Sequence, residues 1–181
     1  MKNFILIIIL VFSVCSTAIA HNKVVVVPLK SGQLKCTGTM NGSRWCDNGD
    51  GTVTDMTTSL VWLKNAGCFD SLPWVETTTW NDAQTVTGKL TSGSCNLSDA
   101  STAGDWRLPT KNELHGLANG VEQVRNTSPR VFSGLVNGIY CTSSTLDYLD
   151  AGVWLVHLAN GSLNNILKTS NCYVWPVRNN E

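Results

Sequence analysis

The chain has 181 residues, with 13 Lys+Arg against 13 Asp+Glu and 43% hydrophobic residues. Zero net charge removes the electrostatic footprint of a nucleic-acid-binding chain, so no nucleic-acid partner is expected and attraction to any polyanion has to come from a local patch. Seven tryptophans, all after residue 44, supply enough large apolar surface for one domain with a real core.

Met1 to Ala20 carries one lysine, an unbroken apolar run from Phe4 to Phe12 and the small-residue end Ala18-Ile19-Ala20, which predicts a secretory signal peptide cleaved before His21. The run is too short for a transmembrane anchor, so no stable membrane insertion is expected, and Val14 before Cys15 does not fit a lipoprotein signal. The mature chain is therefore expected to be secreted, periplasmic or held at a bacterial cell surface. Loss of Lys2 leaves it a net charge of −1. Cys36, Cys46, Cys68, Cys95, Cys141 and Cys172 remain, an even set in an exported chain, so disulfides are the default. None of them forms the close pairs that a zinc site needs, and the sequence leaves every pairing formally open.

Residues 21–44 read as an N-terminal strand and tether. Val24-Val25-Val26-Val27 has high β propensity and ends at Pro28, and the strand is expected to pair with the main domain or with another chain. Residues 45–181 form the domain. It opens with a strand, a Gly49-Asp50-Gly51 turn and further strand pieces at Val53 and Leu60–Leu63. Asp47, Asp50 and Asp55, with Asn48 and Thr52 between them, place several oxygen ligands around glycines and are the candidate metal ligands, for calcium. The EF-hand spacing is absent, and a tight turn needs the same residue types for its own backbone. Otherwise no cofactor is expected.

Thr79 reads as the cap of a helix with Trp80, Ala83, Thr87 and Leu90 on one face, and Cys68 and Cys95 on either side of it are expected to pair across it. Asp105 to Leu114 then predicts an abrupt strand-to-helix junction. Thr110 and Glu113 fit a capping box, Pro109 precedes the cap, and Leu114, Leu117 and Ala118 give the helix an apolar face. Trp106 is expected in the core, with the planar fork of Arg107 holding a carboxylate or loop carbonyls.

Asn119 to Gly138 is a long polar loop containing Arg125, Pro129 and Arg130, and connections of that length are usually functional or mobile. Cys141–Thr145 and Val153–Leu158 read as strands, the second central, and Asn160-Gly161 predicts a two-residue type I′ hairpin into Ser162–Lys168. Tyr173–Arg178, with Pro176, is expected as a last strand at an edge. Cys141 is expected to pair with Cys172, leaving Cys36 with Cys46.

Trp106-Arg107-Leu108-Pro109-Thr110 followed by Glu113-Leu114 resembles the signature of the DUF1566 family, which includes the C-terminal domain of the Legionella collagen-like adhesin. It is also similar to the formylglycine-generating-enzyme type of C-type-lectin-like fold. Asp47–Asp55 with Thr58, Leu60 and Trp62, and the ending Tyr173–Arg178, extend the resemblance over roughly Cys46 to Asn179. It implies an α+β, C-type-lectin-like fold of twisted antiparallel sheets with two short helices, disulfide-stabilised and loop-rich. The collagen stalk has no counterpart, because no G-X-Y repeat exists here.

Trp80-Asn81-Asp82 matches the W-N-D triplet of calcium-dependent lectins, but the E-P-N or Q-P-D loop that works with it is absent. Oxygenase chemistry of the formylglycine-generating type needs reduced cysteines, and His21, His115 and His157 lack ligand spacing. No enzyme activity is expected. The resemblance implies a secreted, adhesin-like binding module that presents the loops 92–104 and 120–138 to a surface glycan or an extracellular or envelope protein. Arg125, Arg130, Trp74 and Tyr148 are the candidate ligand contacts. The alternative is a structural or assembly component of an envelope or fimbrial complex, joined through Val24–Val27. A homo-oligomer is compatible with both.

Overall fold

The computed structural model describes residues 35–69, 78–118 and 130–180. The expected signal peptide, Val24–Val27, Trp74 and Arg125 lie outside the described residues.

Five short strands form the first sheet: β1 (Thr39–Asn41), β2 (Trp45–Asp47), β3 (Thr52–Asp55), β4 (Leu60–Leu63) and, from the other end of the chain, β10 (Val177–Asn179). Their order is β1-β2-β3-β4-β10 and every pairing is antiparallel. Residues 39–41, part of the expected tether, are thus built into the domain sheet. The β2–β3 turn forms because Gly49 and Gly51 take φ of 80° and 88°, a region that side chains disfavour. A side chain at Gly51 would also strike the Asn96 carbonyl oxygen at 2.4 Å, so the loop after Cys95 packs directly on this turn.

Register puts Val53, Trp62 and Val177 side by side on one face. That face meets an aromatic cluster in which Trp175 lies 5.2 Å from Trp62 and 5.1 Å from Phe132, and Phe132 lies 5.2 Å from Trp45. Trp175 keeps its indole N–H satisfied by donating to the Leu63 carbonyl at 2.9 Å.

The second sheet is a meander of β6 (Ile139–Leu146), β7 (Leu149–His157) and β8 (Leu163–Leu167), with β7 central as expected. A two-residue pair, β5 (Thr78–Thr79) with β9 (Asn171–Cys172), leads into α1 (Trp80–Gly88). The Thr79 side chain caps α1, and Trp80, Ala83 and Thr87 form its buried face. Helix α2 (Lys111–Ala118) buries Leu114, Leu117 and Ala118. Among the described residues the architecture is α+β, with antiparallel sheets and two short helices. Disulfides join Cys36–Cys46, Cys68–Cys95 and Cys141–Cys172, the pairs expected, with Cα separations of 5.5, 5.6 and 5.4 Å.

Two expectations are corrected. The β7–β8 connection is not a two-residue type I′ turn: Leu158–Gly161 loop out, Gly161 N–H donates to the His157 carbonyl and His157 N–H to that of Ser162. Only Gly161 has positive φ there, whereas a type I′ turn needs it at both central residues. The expected strand Tyr173–Arg178 is also divided. Tyr173 bridges to Tyr140 beside β6, and the chain then crosses through Pro176 to start β10 at the edge of the other sheet. Pro176 cannot donate a ladder hydrogen bond, which places the break where the strand changes sheets.

Candidate functional site

The signature residues Trp106–Glu113 sit where the two sheets meet. Arg107 exchanges backbone hydrogen bonds with Val177 of β10, both at 3.0 Å. Two residues on, the Pro109 carbonyl accepts from Ser143 of β6 at 2.8 Å, and Lys111 N–H donates to the Ser144 hydroxyl at 3.0 Å. Five residues therefore bond one sheet to the other. Trp106 fills the space beneath them at 1% exposure.

The Arg107 guanidinium makes a two-pronged pair with Glu113, both bonds at 2.9 Å, and also donates to the Leu108 carbonyl and to Asn179 Oδ1. Glu113 accepts the Thr110 amide at 2.7 Å while its own amide donates to the Thr110 hydroxyl, completing the expected capping box. Burial pushes the Glu113 carboxyl up, but the bonds from Arg107 and Thr110 outweigh it and hold the pKa below the ordinary value of 4.5. Arg107, Thr110 and Glu113 thus bond within the junction, while the buried indole N–H of Trp106 has no hydrogen-bond partner among the described residues.

The candidate metal ligands are not brought together. Asp47 accepts the Gly49 amide and pairs with Lys64 at 2.6 Å. Asp50 accepts both the amide and the hydroxyl of Thr52. Asp55, buried, takes a two-pronged bond from Arg44 at 3.0 and 2.7 Å and two more from Thr57. Burial raises the Asp55 carboxyl, and the Arg44 and Thr57 bonds more than reverse it, so its pKa falls below the ordinary 3.8. Among the described residues no three His, Cys, Asp or Glu side chains gather as a metal set. His115 instead bonds the Gly161 carbonyl through Nδ1 at 2.9 Å.

Of the candidate ligand contacts, Arg130 is exposed just before Val131 and Phe132 enter the core, and Tyr148 is 75% exposed in the β6–β7 hairpin. They stand on different elements.

Sequence reasoning missed a polar concavity of about 290 Å³ on the outer face of the first sheet. Register aligns Cys46, Thr54, Val61 and Arg178 across four strands as its floor, and Lys35 and Asn180 stand at its rim. Arg178 is oriented by Asp99, 3.3 Å away, and by the Trp106 ring, 5.5 Å from its guanidinium carbon. No single motif marks this face, because Arg178 joins Cys46 only through the return of β10.

Compared with known proteins, residues 51–178 match the family model described as the Lcl C-terminal domain. The match runs from the β2–β3 turn to β10 and contains the whole junction. The comparison with curated proteins gives no match.

Proposed function

The chain belongs to the Lcl C-terminal domain family, and from that premise we propose that it is a non-catalytic, adhesin-like binding module that works outside the cytoplasm and takes a surface glycan as its ligand. The observation that carries this reading is that the charged pair of the family signature, Arg107 and Glu113, is engaged within the fold. Arg107 and Glu113 bond to each other and to the backbone, and Trp106 is buried, which supports recognition through residues outside the signature. Bridging of all six described cysteines fits an oxidising compartment. Arg130 with Arg125 would offer forked donors to sulfate or carboxylate groups, and Tyr148 with Trp74 would stack on the apolar face of a sugar ring.

A glycan array run at two ionic strengths, with and without calcium, tests this. The expected result is calcium-independent binding to anionic glycans that weakens sharply from low to physiological salt and disappears in Arg125→Ala/Arg130→Ala. Calcium-dependent binding would transfer the site to Asp47–Asp55. Absence of binding under every condition would overturn the glycan reading in favour of an assembly role.

A further inference from the structure

Among the described residues the exposed large hydrophobic side chains are unevenly placed. All but Met40 belong to the β6–β7–β8 sheet or its hairpin, with Leu163 at 42% and Leu167 at 51% exposure on the last strand. Among the described residues strand β8 is also an edge, since it bonds there only to β7.

The ladder fixes which of its groups face outward. His157 N–H donates to the Ser162 carbonyl and Lys168 N–H to that of Ala151, so Ser162, Asn164, Ile166 and Lys168 turn their backbone towards β7. Leu163, Asn165 and Leu167 must then turn theirs away, and among the described residues only the Leu167 carbonyl finds a partner, the Ser170 amide. Edge strands are usually blunted by a charge, a proline or a bulge. Leu163-Asn164-Asn165-Ile166-Leu167 has none of these, and its register with β7 is unbroken over all five residues.

The strand is also complementary to itself. We propose that β8 pairs antiparallel with β8 of a second copy, across a two-fold axis through Asn165, joining two three-stranded sheets into one of six strands. On the exposed face Leu163 lies beside Leu167 of the second copy at both ends, with the two Asn165 amides together at the centre. On the other face Asn164 lies beside Ile166. The three outward residues of each copy form about six new backbone hydrogen bonds, and no like charges are opposed. Such an interface uses the same patch twice and closes at two chains. It does not depend on the glycan reading.

The test is sedimentation equilibrium of the full oxidised chain from micromolar to millimolar concentration, beside Leu163→Lys/Leu167→Lys, with amide exchange measured at both extremes. The wild type should move from one chain towards two. The lysine pair should weaken association at least about tenfold, by opposing like charges across the strands. The amides of Leu163 and Asn165 should slow with concentration in the wild type, a readout that stands even if the variant folds poorly. A monomer at every concentration, a trimer, or a dimer indifferent to the lysines and without that protection would overturn the proposal.

Discussion

In the first sheet β3 and β4 are buried at every position, whereas β8 in the second sheet alternates exposed and half-buried residues along its whole length. The difference follows from what lies on each side. The first sheet is packed on one face by Trp175 and Phe132, and on the other it carries the Cys36–Cys46 bridge at β2 and the Asp99–Arg178 pair at β10. At β8 only Ile166 packs on the core, while Leu163, Asn165 and Leu167 remain in water. Substitutions in the first region should therefore be read out as stability, and those in the second as association.

The sharpest way to break this contrast is Trp106→Ala. Truncating a buried tryptophan beneath the bonds that join the sheets should cost about 3–5 kcal/mol in urea unfolding. A variant that kept its stability but lost a ligand would make the junction a recognition site instead. Next in size is Cys68→Ser/Cys95→Ser, expected to cost about 2–5 kcal/mol. Alkylation of the unreduced, denatured protein followed by mass spectrometry should label none of the six described cysteines.

Smaller, and specific to the first region, is an acid effect. Both Glu113 and Asp55 have pKa values lowered in the folded state, so the stability they contribute is present above their unfolded values, near 4.5 and 3.8. It is lost as pH falls through the lower folded values. Glu113→Gln should cost about 1–3 kcal/mol at neutral pH and leave a shallower decline below pH 4.5. An unchanged acid profile would mean that the Arg107–Glu113 pair does not stabilise the folded junction.

How far each region was legible depends on how local its determinants are. The junction needs residues only three apart to form its cap, and α1 likewise declares itself through Thr79 and the spacing of Trp80, Ala83 and Thr87. Of the disulfides, Cys68–Cys95 is local in the same sense, since the two cysteines flank α1, whereas Cys36–Cys46 is expected only as the pair left over. What could not be read was set by long-range pairing: β10 joins β4, and so places Arg178 beside Val61 and in one row with Thr54 and Cys46, only after the chain has passed through the second sheet. The same holds for β8, whose alternation of Leu163, Asn165 and Leu167 does not reveal that one edge stays open. Asp47, Asp50 and Asp55 were ambiguous for a different reason, since a turn and a cation ask for the same oxygens, and only the partners Lys64, Thr52 and Arg44 show where those oxygens point.

The smallest expected effect sharpens the comparison most. In dilute solution Leu163→Lys/Leu167→Lys should change unfolding free energy by no more than about 0.5 kcal/mol per site, because both side chains are about half exposed and the backbone bonds to β7 are made by the residues beside them. The wild type should nevertheless melt at a higher temperature as its concentration rises, since a partner that binds only the folded chain stabilises it by mass action. The lysine variant should lose that concentration dependence while keeping the dilute melting temperature. A loss of several kcal/mol in dilute solution would instead mean that the outer face of β8 is packed within its own chain, and the contrast between the two sheets would fail at the strand where it is greatest.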